Sequence, residues 1–232
     1  MRLAIIGDGK MGRAIATLAT ERGHHVVALL GQRENEGASW ITAEHAAQLD
    51  VAIEFTQPSA ATDNIFACLA HGVPVVTGTT GWYASLPALE AETLRVGGAL
   101  FWAPNFSLGV ALAVEVARRA GALFAAHPQF DVHVIETHHN QKMDAPSGTA
   151  LALARVVEKA LSRPVPTSSV RVGHVPGTHT LIFDGPFEQI TLTHEARDRR
   201  VFADGALHAA EWLIGRRGVF TMRDLLRTSE AP

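Results

Sequence analysis

The sequence predicts an α/β fold: a parallel sheet covered by helices, followed by a smaller α+β region with an open mixed or antiparallel sheet. Three observations carry this. Strand-like and helix-like segments alternate through the first hundred residues, a glycine-rich turn joins the first such pair, and consecutive strand-like stretches follow a long Ala/Val/Leu helix in the second half. With 232 residues, 47% of them hydrophobic and 19% charged, the chain can bury a sizeable core and lies far from the composition of disordered segments.

Each element has a local reason. Arg2–Ile6 is a short apolar run ending in glycines, and residues 11–21 follow as a helix, with Met11, Ile15, Leu18 and Ala19 at helical spacing and Gly23 as the stop. His25–Leu30 and residues 51–55 read as strands, residues 59–70 as a helix closed by Gly72, and residues 74–77 as a strand. A helix over 86–96 and a strand over Ala99–Trp102 complete the alternation. Strands separated by helices need crossover connections, and these give a parallel sheet. From residue 107 the pattern changes: a helix over 107–126, a strand over 130–137, and a helix over 147–162 with a Ser or Thr available as its cap. Strands are then expected over 170–174, 178–183 and 188–194 without helices between them, and a helix over 202–216. Hinges are expected at 103–106 and 195–201.

The formal net charge of -3 gives no electrostatic reason to expect nucleic acid or an anionic membrane as partner. The single cysteine, Cys68, cannot close an internal disulfide, and its place on an apolar helix face marks it as a packed thiol of a reducing compartment. The first residues are too short an apolar run for a signal peptide, and no run approaches the roughly 18 apolar residues of a membrane span. A cytoplasmic protein is expected.

Gly7-Asp8-Gly9-Lys10-Met11-Gly12 matches G-x-G-x-x-G between the first strand and the first helix. Glycines there let the chain turn tightly and let a pyrophosphate approach the backbone, while the free N–H groups of the helix N-terminus hold the anion. The acidic residue that binds an adenosine ribose is expected about 20 positions on. That count reaches Gln32, followed by Arg33. An amide and a guanidinium leave nothing to repel a 2′-phosphate, and Lys10 and Arg13 add positive charge, so NADPH use fits. Alternatively Arg33 points to solvent and Glu34 or Glu36 meets the ribose, so use of NADPH, NADH or both is expected.

The second informative stretch runs from Glu136 through His138, His139, Lys142, Asp144 and Pro146 to Ser147-Gly148-Thr149. It leaves a strand, crosses a loop and enters a helix. A placed imidazole can donate a proton near neutral pH, a nearby ammonium can hold an anion, and Ser147, Gly148 and Thr149 at a helix N-terminus suit a carboxylate. Zinc is the competing reading of paired histidines, but neighbouring side chains leaving a strand point to opposite sides and no third ligand has zinc-like spacing, so no metal is expected. A solvated polar loop is the plain alternative.

At this loop the sequence resembles the dihydrodipicolinate reductase family. The same family's landmarks occur in order at Gly78-Thr79-Thr80-Gly81-Trp82, at Ala103-Pro104-Asn105-Phe106-Ser107, and at Phe202-Ala203-Asp204-Gly205-Ala206 with Ala209, Ala210 and Trp212. The resemblance spans nearly the whole chain. It implies a Rossmann dinucleotide-binding domain of residues 1–106 and 202–232, and an α+β substrate-binding and oligomerisation domain of residues 107–201 whose open mixed sheet assembles a homotetramer. It implies that His138 is the acid/base residue and Lys142 a second proton donor, and that His139, Lys142, Ser147, Gly148 and Thr149 surround a cyclic dicarboxylate. Gly7 to Gly12 would hold the pyrophosphate, while Gly78, Thr79, Thr80, Ala103, Pro104, Asn105 and Phe106 would border the nicotinamide half. The implied reaction is NAD(P)H-dependent reduction of 4-hydroxy-tetrahydrodipicolinate with loss of water, in lysine and diaminopimelate biosynthesis. The chain departs from the family pattern in a glycine loop one residue shorter than the commoner form and in Gln32 where many members carry an acid; both bear on coenzyme preference. Rival readings are another two-domain dehydrogenase acting on an amino acid or semialdehyde, and a non-catalytic NAD(P)-sensing module. Neither accounts for the His138-to-Thr149 constellation.

Overall fold

β-branched and Leu-rich runs form the strands, and the helices that follow them turn an Ala/Leu/Ile stripe inward, which is the pattern of a sheet buried on both faces. A computed structural model of the chain describes residues 1–227. In order, the elements are β1 (Arg2–Ile6), α1 (Lys10–Glu21), β2 (His25–Leu30), α2 (Ala43–Ala46), β3 (Val51–Glu54), α3 (Pro58–Ala70), β4 (Val75–Thr77), α4 (Leu86–Arg95) and β5 (Ala99–Trp102). They continue with α5 (Leu108–Phe124), β6 (Asp131–His138), α6 (Gly148–Leu161), β7 (Thr167–Arg171), β8 (Thr178–Asp184), β9 (Gln189–Glu195), α7 (Arg200–Leu213), β10 (Gly218–Phe220) and α8 (Met222–Arg227). The described residues form two compact units, Met1–Ser107 with residues 200–227, and Leu108–Arg199.

The first unit holds a six-stranded sheet of order β10-β5-β4-β3-β1-β2. Every pairing in it is parallel. Side chains alternate across it: Ile6, Ala52, Val75 and Leu100 join Ile65, Leu69 and Leu89 in one apolar cluster on the α3–α4 side. α7 returns to this unit and packs against α1 and strands β3, β4 and β5. Gly205 is what lets α7 come so near, because a Cβ there would lie 1.7 Å from the Phe106 carbonyl oxygen. Cys68 is sealed in the α3–α4 cluster at 1% exposure, and burial pushes its thiol up to about 12.

The second unit holds a four-stranded sheet of order β7-β6-β8-β9, with β6 parallel to β7 and antiparallel to β8, which is antiparallel to β9. Val132, Val134, Leu181 and Phe183 face α5 and α6, where Ala117, Leu153 and Val157 complete the core. Phe124 stacks on Phe183 at 4.1 Å between ring centroids. The other face of this sheet carries His133, Ile135, Thr180, Ile182, Thr191 and Thr193 in register across β6, β8 and β9. No helix among the described residues is long and apolar enough to cross a membrane.

The α/β class, the parallel first sheet and the mixed second one are as the sequence predicts. The strand expected over 170–174 is a correction: β7 lies at Thr167–Arg171, because its register is set by parallel hydrogen bonding to β6, from Val134↔Thr167 to His138↔Arg171. Its Thr-Ser-Ser start is polar edge strand, with no apolar alternation to mark it. β10, α2 and α8 were not expected; each has six residues or fewer, too short for a periodic signal.

Candidate active site

Both units gather their polar residues at the C-terminal ends of strands. In the first, β1 runs into Gly7 at φ +110°, where a Cβ would lie 2.0 Å from the Phe55 carbonyl oxygen. A Cβ on Gly12 would lie 1.7 Å from the Gly7 oxygen, so this glycine seats α1 against the turn. Gly9 differs, since an added Cβ there meets nothing within 4 Å, and it precedes α1 without a side-chain cap. A helix N-terminus with uncapped N–H groups beside open space is an anion site, and these residues fit a dinucleotide pyrophosphate. The adjoining cleft, of about 410 Å³, is lined by Gly7, Asp8, Gly9 and Gln32 together with Asn35 and Glu36. Lys10, Met11 and Gly12 form the first turn of α1, Arg13 donates through Nε to the Asp8 carbonyl at 2.7 Å, and Arg33 is exposed outside the cleft lining.

Gly78, Thr79 and Thr80 follow β4, and Ala103, Pro104, Asn105 and Phe106 follow β5, on the same strand ends but outside that lining. A Cβ on Gly78 would lie 2.1 Å from the Phe55 ring, whose centroid is 5.6 Å from that of Phe106. Thr79 Oγ1 accepts the Thr56 N–H at 2.8 Å and donates to Glu54 at 2.9 Å, and the Thr79 carbonyl accepts from Trp82 Nε1 at 2.7 Å. Glu54 is fully buried; burial raises its pKa, opposed by hydroxyls of Thr56, Thr77 and Thr79. The sequence reading missed Glu54, and also Asn35, whose Nδ2 donates to Asn64 at 2.8 Å and steadies the cleft wall after β2.

In the second unit the two-residue period of β6 puts Glu136 and His138 on the inner face with Val132 and Val134. Glu136 is 0% and His138 6% exposed. His138 Nδ1 is hydrogen-bonded to Glu136 Oε2. The other carboxylate oxygen accepts from Arg171 at 2.8 Å and from the Ser147 amide at 3.3 Å. Burial alone would raise Glu136, but hydrogen bonds from Arg171, Ser169 and His138 outweigh it and hold the carboxyl down to about 2. Burial pushes His138 below the usual imidazole value; Glu136 opposes this, while Lys142 and Arg171 add to it.

Ser147 is the N-cap of α6, its Oγ accepting the Ala150 N–H at 3.2 Å. The same oxygen lies 3.1 Å from His179 Nε2, to which its own proton is free to donate. His179 sits edge-on to His138 at 5.1 Å and is pushed down to about 4, first by burial and then by the charges of His138 and His194. Lys142 Nζ donates to Asp144 at 2.7 Å, and the Gly148 amide bonds the same carboxylate, which these groups hold below its usual range. An ammonium and a helix N-terminus thus already grip one carboxylate of the chain itself. His139 lines a separate pocket of about 350 Å³ with Gly173, His174 and Arg199.

The fold therefore brings His138, Lys142, Ser147, Gly148 and Thr149 around the end of β6 and the start of α6, and sets His139 on the neighbouring pocket. It also supplies what the sequence did not show beside His138: ligand atoms of Glu136, His138 and His179 lie within 4.8 Å of one another. This donor set matches proton handling better than a cation, because Arg171 already neutralises Glu136 and the second oxygen is engaged by His138. Arg171 and His179 went unread, coming from strands far along the chain, and Arg199 was read only as part of the charged hinge over 195–201; Glu136 alone had a signal, its spacing of two from His138 on a strand.

The family profile described as Dihydrodipicolinate reductase, N-terminus, matches residues 1–106, and the one described as Dihydrodipicolinate reductase, C-terminus, matches residues 109–226. The chain belongs to the dihydrodipicolinate reductase family. Membership makes it an oxidoreductase with a dinucleotide-binding N-terminal part. It is similar to the 4-hydroxy-tetrahydrodipicolinate reductase of Christiangramia forsetii, 35% identical over 239 residues that cover 97% of this chain and 98% of that protein. The enzyme of the same name from Xanthomonas campestris pv. campestris is 41% identical over 232 residues, covering 94% of each. A solved structure, dipicolinate-bound dihydrodipicolinate reductase from Paenisporosarcina sp. TG-14, matches with a TM-score of 0.80 at 25% identity, covering 95% of this chain and 97% of that one.

Proposed function

We propose that the chain reduces 4-hydroxy-tetrahydrodipicolinate to tetrahydrodipicolinate with loss of water, in lysine and diaminopimelate biosynthesis, with NADPH or NADH as reductant. The observation that carries this reading is a buried imidazole, His138, held by a carboxylate beside an ammonium and a helix N-terminus that together grip a carboxylate. A bound dihydronicotinamide supplies the hydride. The uncapped first turn of α1, with Gly7, Asp8, Gly9, Lys10, Met11 and Gly12, holds the pyrophosphate. Gln32 and Glu36 on the cleft wall meet the adenosine ribose, exposed Arg33 offers a cation to a 2′-phosphate, and this mixed wall supports use of both coenzymes. Gly78, Thr79 and Thr80, with Ala103, Pro104, Asn105 and Phe106, border the nicotinamide half.

On the substrate side, a ring carboxylate takes the place the Asp144 carboxylate occupies against Lys142 and the Gly148 amide, with Ser147 and Thr149 completing the seat and His139 alongside. The dipicolinate of the Paenisporosarcina protein is a ring dicarboxylate of this kind. The ring hydroxyl leaves with a proton from the neighbouring ring carbon as water, which forms a conjugated double bond; hydride addition to that system leaves an electron pair on the ring that must take a proton, and His138 donates it, with Lys142 assisting. The chain works as a cytoplasmic homotetramer, a reading supported by the Thr/Ile face of its second sheet, opposite the face packed on α5 and α6, and by one buried thiol.

The test is oxidation of NADPH at 340 nm, the substrate being formed in place from aspartate semialdehyde and pyruvate by the preceding synthase. His138→Gln and Lys142→Ala each lower turnover at least about 10²-fold with NADPH affinity unchanged. Full turnover in both folded variants rejects the assigned roles.

A further inference from the structure

We infer that Glu136 is the positioning residue of the proton donor: one buried carboxylate fixes the tautomer and ring plane of His138, sustains its protonated form, and ties it to the N-terminus of the substrate-binding helix. The inference rests on the reading of His138 as the acid. Four observations support it. First, the strand period leaves Glu136 and His138 side by side on the inner face, with Nδ1 bonded to Oε2, so Nε2 is the nitrogen left to exchange a proton. Second, the residue facing Nε2 lacks a side chain. Gly177 has φ +153°, and a Cβ on it would lie 2.9 Å from Nε2, so any other residue would close off that nitrogen.

Third, Glu136 is kept ionised although it is buried, because Arg171 donates to it at 2.8 Å. Here Arg171 Nη2 engages Oε1, and its remaining donors reach the carbonyls of Lys142, Asp144 and Val170. Oε2 bonds the imidazole, and Ser169 adds a further hydrogen bond to the carboxylate. Fourth, Oε1 also accepts the Ser147 amide, the residue that caps α6, so acid and anion seat share one anchor. Lys142 from the following loop and Arg171 from β7 work against the protonation of His138, while His179 of β8 lies edge-on to it at 5.1 Å with His194 of β9 behind at 6.2 Å. Glu136 is the carboxylate bonded to the imidazole, Asp144 being held by Lys142 and the Gly148 amide, and without Glu136 the imidazolium needed for donation becomes scarce.

The decisive variant in the full-length chain is Glu136→Gln, which keeps the shape and removes the charge. Its turnover is expected to fall at least about tenfold, with the high-pH limb of turnover moving lower by about one pH unit and NADPH affinity unchanged. A folded Glu136→Gln with both turnover and limb in place overturns the inference, since a merely structural role would change melting without moving the limb. Should the variant not fold, ¹⁵N-histidine NMR of the unaltered chain decides, the His138 signals being those lost in His138→Gln. Protonation at Nδ1 in the neutral ring is the expected tautomer; protonation at Nε2 overturns the inference. Loss of turnover in His138→Gln alongside an unaffected Glu136→Gln refutes this inference alone, whereas an active His138→Gln refutes the reading beneath it.

Discussion

His179 shows how burial, aided by neighbouring positive charge and only partly opposed by Glu136, sets the ionisation of a side chain. It is 4% exposed, Ser147 occupies its Nε2, and its Nδ1 has no hydrogen-bond partner. Its folded pKa of about 4 lies below the ordinary value of 6.5, so between those two values the unfolded chain binds a proton that the folded chain refuses. Stability therefore falls as pH drops from 6.5 towards 4, by at most about 3 kcal/mol from this residue. His179→Gln, which can still accept the Ser147 proton, is expected to flatten the fall in Tm across that range in thermal scans; an unchanged slope would rule the assignment out. Glu136, held down to about 2, adds its own loss of stability only below the ordinary carboxyl value of 4.5. At this scale the sequence disclosed the residues that sit in one continuous motif, His138, His139 and Lys142. It concealed Arg171, 35 positions from the carboxylate it neutralises, because strand pairing and not spacing brings them together.

Among the elements, α6 joins local chemistry to the site. Ser147 caps it and the following Gly148 and Thr149 open its first turn, which is why the helix start was readable: a cap residue before an Ala/Leu stripe has few other uses. Ser147→Ala removes the cap and the hydroxyl that faces His179. It is expected to cost about 1 kcal/mol in denaturant unfolding and to raise KM for the dicarboxylate while leaving NADPH affinity alone. Equal KM values would separate the cap from binding. The βα units of the first sheet were legible for the same kind of reason, since apolar runs and helical stripes alternate there with glycine stops. β7 was not, its exposed Thr-Ser-Ser start taking its register from β6 and offering no pattern of its own.

For the whole molecule, the two sheets differ in how they are covered. The first is buried on both faces, whereas the second leaves His133, Ile135, Thr180, Ile182, Thr191 and Thr193 on a face that α5 and α6 do not reach. In the proposed homotetramer this β-branched surface is the subunit contact. Ile135→Lys is expected to lower the assembly state in light scattering while the far-UV spectrum stays the same; an unchanged mass would place the contact elsewhere. The sequence pointed to two domains but could not show which sheet face α5 and α6 cover, because Thr and Ile serve equally well under a helix or on an open face. The sealed position of Cys68 has a practical corollary. A sulfhydryl so reluctant to ionise ignores alkylating reagents until the α3–α4 layer lifts away, so its rate of capture clocks the opening of the nucleotide-binding half, and any dinucleotide that steadies that half slows the clock.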